Sequence, residues 1–318
     1  MTYRIAACCQ LGELVTNRKG ETVFQQYSDC KMGTVTVKSM QSLSPTQQRA
    51  KLLGKVKQNL QALQSQIKRV ATFPDTQKMF RISSDLLPLY THQDFTHLYD
   101  DQMMQVIGKS LSITGKIIKD NGIRVSSHPS QFTTLCSDKE HVIDNSIRDL
   151  EHHVIIFKLM GLSPEDGIVI NIHANGSSFE LPERAEHLFE YISLENDEKK
   201  AGHDKVLMLC EKYGIRYVFD HHHYYCETGD YLDFNGSVWQ RIKATWKGQR
   251  PIMHLSQSRG DTNFREQCAH SDMITDQDLI EYITPYLYEA DLDLEAKWKN
   301  VASNQLDLDV KKCESDHV

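Results

Sequence analysis

Eight short apolar segments alternate with helix-period stretches along this chain, and six of them run directly into His, Asp or Glu. The segments lie at 4–9, 80–84, 124–129, 168–173, 191–197, 217–220, 251–256 and 291–297. Each has the length and apolar content of a buried strand. Strands separated by helices pair in parallel, and eight such units are the number that closes a (β/α)8 barrel. The α/β class is therefore expected, as a TIM barrel, with an open doubly wound sheet as the competing arrangement.

Helix signals fill the gaps. Ser44-Pro45 caps a helix whose Leu52, Leu53, Val56, Leu60, Leu63, Ile67 and Val70 fall at helical spacing. Its Lys51, Lys55, Lys57, Lys68 and Arg69 form a solvated face. Further helices are expected over 98–120, from a capping box Ser137-Asp138-Lys139-Glu140 to Met160, and over 200–213. Two more run through Val238 and Ile242 and over 276–289, before a charged C-terminal helix and polar tail. Residues 10–43 mix Gly, Asn, Ser and Thr with β-branched pieces such as Thr34-Val35-Thr36-Val37. That composition predicts a long loop with room for a hairpin, and the whole of 1–318 reads as one barrel domain.

The strand ends carry the chemistry. The third ends in His128, the fourth in His173, the fifth in Glu195, the seventh in His254 and the eighth in Glu295. The sixth delivers Asp220 at its tip, with His223 in the loop beyond. In a barrel these converge on the C-terminal face, where barrel active sites lie. One such histidine is ordinarily a satisfied structural residue; six successive ends bearing only His, Asp or Glu are not chance. Glu195, Asp220 and Glu295 would repel one another without cations, so a polynuclear metal centre is expected. Imidazole and carboxylate without thiolate suit Mn, Zn or Fe and disfavour a closed structural zinc site. Two or three ions about 3.5–4 Å apart on bridging carboxylates suit in-line phosphoryl displacement, activating water and stabilising the departing oxygen.

Bulk properties narrow the setting. There are 43 acidic against 36 basic residues, a net charge of −7, which counts against general nucleic-acid binding. Carboxylates sequestered around metal ions would offset that objection. Eight scattered cysteines form no C-x-x-C pair, as expected of reduced thiols in a cytoplasmic protein. No run of 18 apolar residues and no N-terminal signal is present, so a soluble protein with no membrane association is expected. No obligate protein partner is evident.

Several segments together resemble the motif series of the UV damage endonucleases. They are Arg81-Ile82-Ser83-Ser84 with His92, Val125-Ser126-Ser127-His128-Pro129-Ser130-Gln131-Phe132, Asn171-Ile172-His173 and Leu194-Glu195-Asn196-Asp197. Phe219-Asp220-His221-His222-His223, His254-Leu255-Ser256 and Glu295-Ala296-Lys297 continue the series, over roughly residues 78–300. That family is a (β/α)8 barrel related to endonuclease IV. It nicks damaged double-stranded DNA immediately 5′ of UV photoproducts and some other lesions. The cut leaves a 3′-hydroxyl and uses divalent metals, commonly manganese, with zinc, magnesium or iron as alternatives.

By that resemblance His128, His173 and Glu195 hold a first ion. Glu195, Asp220, His254 and Glu295 hold a second, and His223 with His270 a third. Glu195, Asp220 and Glu295 are then catalytic as well as ligating, and Lys297, on the face of Glu295 by strand alternation, is placed to contact phosphate. A phenylalanine following a strand fits a core position on its own. The resemblance instead makes Gln131 and Phe132 the pair that inserts at damaged bases, with the aromatic ring stacking on them. His92 joins them as a candidate DNA contact.

Two departures stand out. The family lysine two residues before the seventh-strand histidine, modified to a carbamate, is Ile252 here. The family tyrosine near the end of the first strand is replaced by Ala6-Ala7. Rival readings are a barrel-type sugar isomerase or epimerase, which also clusters His, Asp and Glu on metals, and a damage-binding relative that has lost cleavage.

Overall fold

In the computed structural model, which describes residues 3–316, all eight expected strands form. In chain order the strands are β1 (Ile5–Cys8), β2 (Gly12–Thr16), β3 (Thr22–Gln26), β4 (Met79–Ile82) and β5 (Arg124–Ser127). They continue as β6 (Val169–His173), β7 (Ile192–Glu195), β8 (Arg216–Asp220), β9 (Ile252–Leu255) and β10 (Asp291–Leu294). Parallel pairing runs β1-β10-β9-β8-β7-β6-β5-β4 and closes back on β1, which makes the barrel and rules out the open sheet.

Register, not only order, sets up the mouth. His173 lies beside Glu195 across β6 and β7, and Asp220 beside His254 across β8 and β9. Inside the barrel, alternation stacks residues in layers. Ala6, Met79, Val169, Val218 and Ile252 form an apolar plug with Trp246. Each of the five stands two residues before an inward polar side chain nearer the mouth: Cys8, Arg81, Asn171, Asp220 and His254. At the opposite end Asp291 is paired to Arg124 at 2.9 Å, Arg250 at 2.8 Å and Arg4 at 3.2 Å. The plug thus separates one polar end of the barrel from the other.

Outside, helices cover the strands. Helix Pro45–Val70 begins with the capping box Ser44/Gln47 and buries Leu52, Val56, Leu60, Leu63, Ile67 and Val70. Arg69 leaves the solvated face, pairing with Asp29 at 3.0 Å and lying over Tyr27. Helix Asp101–Asp120 crosses helix Glu140–Leu159 so closely that a Cβ on Gly115 would stand 1.8 Å from Met160 O. Propensity alone favours Ala over Gly in a helix by about 1 kcal/mol, but this overlap must displace backbone. Gly115→Ala is expected to destabilise the chain by about 1–3 kcal/mol in urea denaturation. An unchanged midpoint would mean that the helices do not approach so closely.

Several local expectations fail for identifiable reasons. The 137–140 capping box is not made: the helix starts at Glu140 after Lys139, and Ser137 Oγ accepts from Lys139 N instead. The hairpin of the long loop is β2–β3, pinned to Asn300 by paired bonds at Gly12 of 2.8 and 2.9 Å. Thr34–Val37 is not part of it, because Thr36 caps a short helix, Val37–Gln41. His223 is not in a loop either: Asp220 caps helix His221–Thr228, whose first turn carries it. No helix among the described residues is long and apolar enough to cross a membrane.

Candidate metal centre

Glu195, fully buried at the end of β7, is the hub. Its Oε2 accepts from the Asn171 side-chain amide and lies 3.0 Å from His128 Nε2, while Oε1 lies 2.9 Å from His254 Nδ1. The two oxygens thus face different imidazoles, the disposition of a bridging carboxylate. Asp220 divides its oxygens similarly. Oδ1 accepts from His223 N at 2.7 Å, capping the helix, and Oδ2 lies 4.0 Å from both His254 Nδ1 and His223 Nε2. Three ligand triads result: His128-His173-Glu195, Glu195-Asp220-His223 and Asp220-His254-Glu295. Donor atoms within each lie no more than 4.8 Å apart. Metal–ligand bonds of about 2.0–2.3 Å put neighbouring donors about 3–3.7 Å apart, so the spacing suits cations after small adjustment.

Hydrogen bonds on the far side of each ring support that fit. His128 Nδ1 donates to Pro129 O at 2.9 Å and His270 Nδ1 to Glu295 O at 2.8 Å, which leaves both Nε2 atoms as lone pairs. A lone pair on His128 Nε2 facing a carboxylate oxygen is repulsive unless a proton or a cation stands between them. His254 is backed by Asp293, 3.8 Å from Nε2, and Asp293 accepts from Ser126 Oγ at 2.9 Å. His173 Nδ1 is buried without a hydrogen-bond partner.

The other predicted residues are placed differently. His270 faces Glu295 Oε2 at 3.6 Å, and its ring centre is 6.5 Å from that of His223. His223 shares a triad with Glu195 and Asp220 rather than with His270. Lys297 lies beyond β10, where alternation no longer governs; it is exposed and 3.8 Å from Asp272. Gln131 is exposed and Phe132 is 77 % exposed, so the core reading of that ring is excluded. His92 is engaged within its own loop, where Nδ1 accepts from Asp94 N at 3.3 Å. Ile252 belongs to the plug, and Ala7 packs outward in the core, so neither reaches the mouth. Of the three consecutive imidazoles only His223 joins the cluster: His221 Nδ1 bonds Tyr282 OH, and His222 Nε2 bonds Gln267 O.

Four contributors escaped the sequence reading. Asn171 orients Glu195, Asp293 backs His254, and Arg81 pairs with Glu295 inside the barrel. Inward alternation along β4, β6 and β10 could have found all three. The fourth, Glu198, is a loop carboxylate 2.7 Å from His223 Nδ1, at an angle unsuited to a hydrogen bond. No local signal marks it.

The acids outnumber the fixed cations. Burial works against the ionised form of Glu195, yet the imidazoles of His254 and His173 hold it well below the usual carboxylate range. Burial likewise opposes Glu295, and Arg81 and His254 overcome it. In return, burial depresses His254 but Glu195 lifts it to about 9. Since that value lies above neutrality, metal-free His254 carries a proton at pH 7 that must leave before Nδ1 can ligate. Metal affinity is therefore expected to rise from pH 7 to 9. Calorimetry in buffers of different ionisation enthalpy should show proton release, and heats independent of buffer would contradict this.

A family model described as UV-endonuclease UvdE matches residues 20–315. This chain belongs to that family. Among its relatives is a UV DNA damage endonuclease of Bacillus cereus (strain B4264), 30% identical over 295 residues, covering 86% of this chain and 87% of the relative. The UV DNA damage endonuclease of Bacillus mycoides (strain KBAB4) is 30% identical over 249 residues, 72% of this chain and 74% of the relative. The crystal structure of SacUVDE superimposes with a TM-score of 0.73 at 24% identity, covering 98% of this chain and 99% of that one. Endonuclease IV from Thermus thermophilus gives 0.55 at 14% identity, covering 80% and 94% respectively. These two likenesses show the barrel fold.

Proposed function

We propose that this chain is a metal-dependent DNA repair endonuclease, a phosphodiester hydrolase that nicks double-stranded DNA at UV lesions. One observation carries the reading: a chain of the UV-endonuclease family brings three overlapping ligand triads, hinged on Glu195 and Asp220, to its barrel mouth. The donor set suits two or three divalent ions, manganese foremost. When bound, they supply Lewis-acid activation of water and charge stabilisation on the scissile phosphate. Glu195 and Asp220 space the donors, Asn171 fixes the Glu195 carboxylate, and Arg81 holds Glu295 in place. Lys297, free of the strand, reaches for a phosphate outside the cluster.

The surroundings suit a nucleic acid. Phe132, Phe179, Tyr231 and Phe264 are exposed on the connections that leave the mouth end of β5, β6, β8 and β9, and exposed aromatic faces suit stacking on bases. Gln131 and Phe132 are the residues proposed to enter the damaged duplex, and His92, in the loop after β4, is the further candidate DNA contact. The objection from net charge weakens, because Glu195, Glu198, Asp220, Asp293 and Glu295 are turned into the cluster and not toward DNA. Acting on genomic DNA, the enzyme would work in the cytoplasm.

The test is incision of UV-irradiated plasmid by metal-free chain resupplied with Mn²⁺. Relaxed circles from irradiated but not intact plasmid are expected. An end-labelled duplex with one photoproduct should be cut immediately 5′ of it, leaving a 3′-hydroxyl that a polymerase extends. Intact plasmid with manganese demonstrably bound would reject the reading. Ile252 favours one second reading, a damage binder without cleavage, which salt-sensitive binding to irradiated duplex without nicks would select.

A further inference from the structure

A second group of metal-type donors lies away from the mouth, on the helix Glu140–Leu159. Asp149, His152 and His153, at i, i+3 and i+4, each offer a donor atom, and the three atoms lie within 4.8 Å of one another. They share no residue with the central triads. His152 is 4 % and His153 3 % exposed, and Nε2 of each is buried without a partner. A buried polar atom left unpaired costs stability, so two of them on neighbouring rings, whose centres are 5.2 Å apart, call for a ligand. His153 Nδ1 donates to Asp149 O at 2.8 Å, which leaves its Nε2 as a bare lone pair. Burial, with His153 adjacent, keeps His152 in the neutral form that ligates, and its ring is stacked on Tyr90 at 4.4 Å.

We propose that Asp149, His152 and His153 hold one divalent cation of the zinc class, separate from the central cluster. Two imidazoles and a carboxylate are a three-ligand zinc set, with a fourth position for water. Asp149 Oδ2 also accepts from Thr133 Oγ1 at 2.6 Å, and Ser146 Oγ accepts from Thr134 N at 2.9 Å. These two bonds tie the helix that holds the cation to the loop that carries Gln131 and Phe132. The binding claim stands independently of the reaction proposed above.

The experiment is equilibrium dialysis of the metal-free full chain against cobalt chloride, counting cobalt per chain. Asp149→Asn keeps an acceptor for Thr133 while losing the anionic ligand, and His152→Phe keeps the stack on Tyr90. Each is expected to bind one cobalt fewer than the wild type. Combined with Glu195→Ala, which acts on the central cluster, the losses should add. Circular dichroism checks that each variant is folded. Folded Asp149→Asn or His152→Phe chains with the wild-type cobalt count would overturn the proposal.

Discussion

Glu195→Ala is expected to lower incision of UV-irradiated plasmid by ~10³-fold or more while the barrel stays folded. Glu195 stands in two of the three triads, so its loss removes a shared donor, not a single contact. It also leaves the Asn171 amide and the His254 ring without the acceptor that orients them. The fold rests elsewhere, on the apolar plug around Trp246 and on the helix-covered outer faces of the strands. Far-ultraviolet circular dichroism should therefore be unchanged, and bound manganese should fall in step with activity. A variant that cuts at the wild-type rate would remove Glu195 from the centre.

Asp220→Ala is expected to abolish incision to a similar extent and also to cost stability, because Asp220 serves two ends. Its Oδ1 caps helix His221–Thr228 and its Oδ2 faces His254 and His223. Losing an N-cap costs about 0.5–2 kcal/mol. Asp220→Asn keeps an oxygen for the cap but offers the cations no charge. Incision should collapse in both variants, while only Ala lowers the urea midpoint by the cap's share. Equal midpoints would mean that the cap contributes nothing, and retained activity in Asn would mean that the Asp220 charge is not used.

The barrel and the ring of His, Asp and Glu side chains at its mouth were readable in the sequence because both are periodic. Strand ends recur at fixed places in βα units, and closure forces the ends of β5 to β10 to one mouth. His128, His173, Glu195, Asp220, His254 and Glu295 could be singled out before any coordinate. Other positions depended on which strand lay beside which. Asp293 reads as one more acid in an alternating run until the register with His254 shows what it backs. Glu198 depends on a loop path that no local pattern encodes. Phe132 needed exposure to decide between core and surface, and Lys297 was assigned a face by a strand that ends three residues earlier, at Leu294. The 137–140 box failed because its signal is only four residues long and a Ser137–Lys139 turn competes for the same hydroxyl.

The most direct test of the whole account is a manganese count at equilibrium. Metal-free wild-type chain should take up two or three ions, and a Glu195→Ala/Asp220→Ala double variant with intact circular dichroism should lose them. Less than one ion per wild-type chain, or the same count in the double variant, would show that these acids and imidazoles meet at the mouth for some reason other than shared cations.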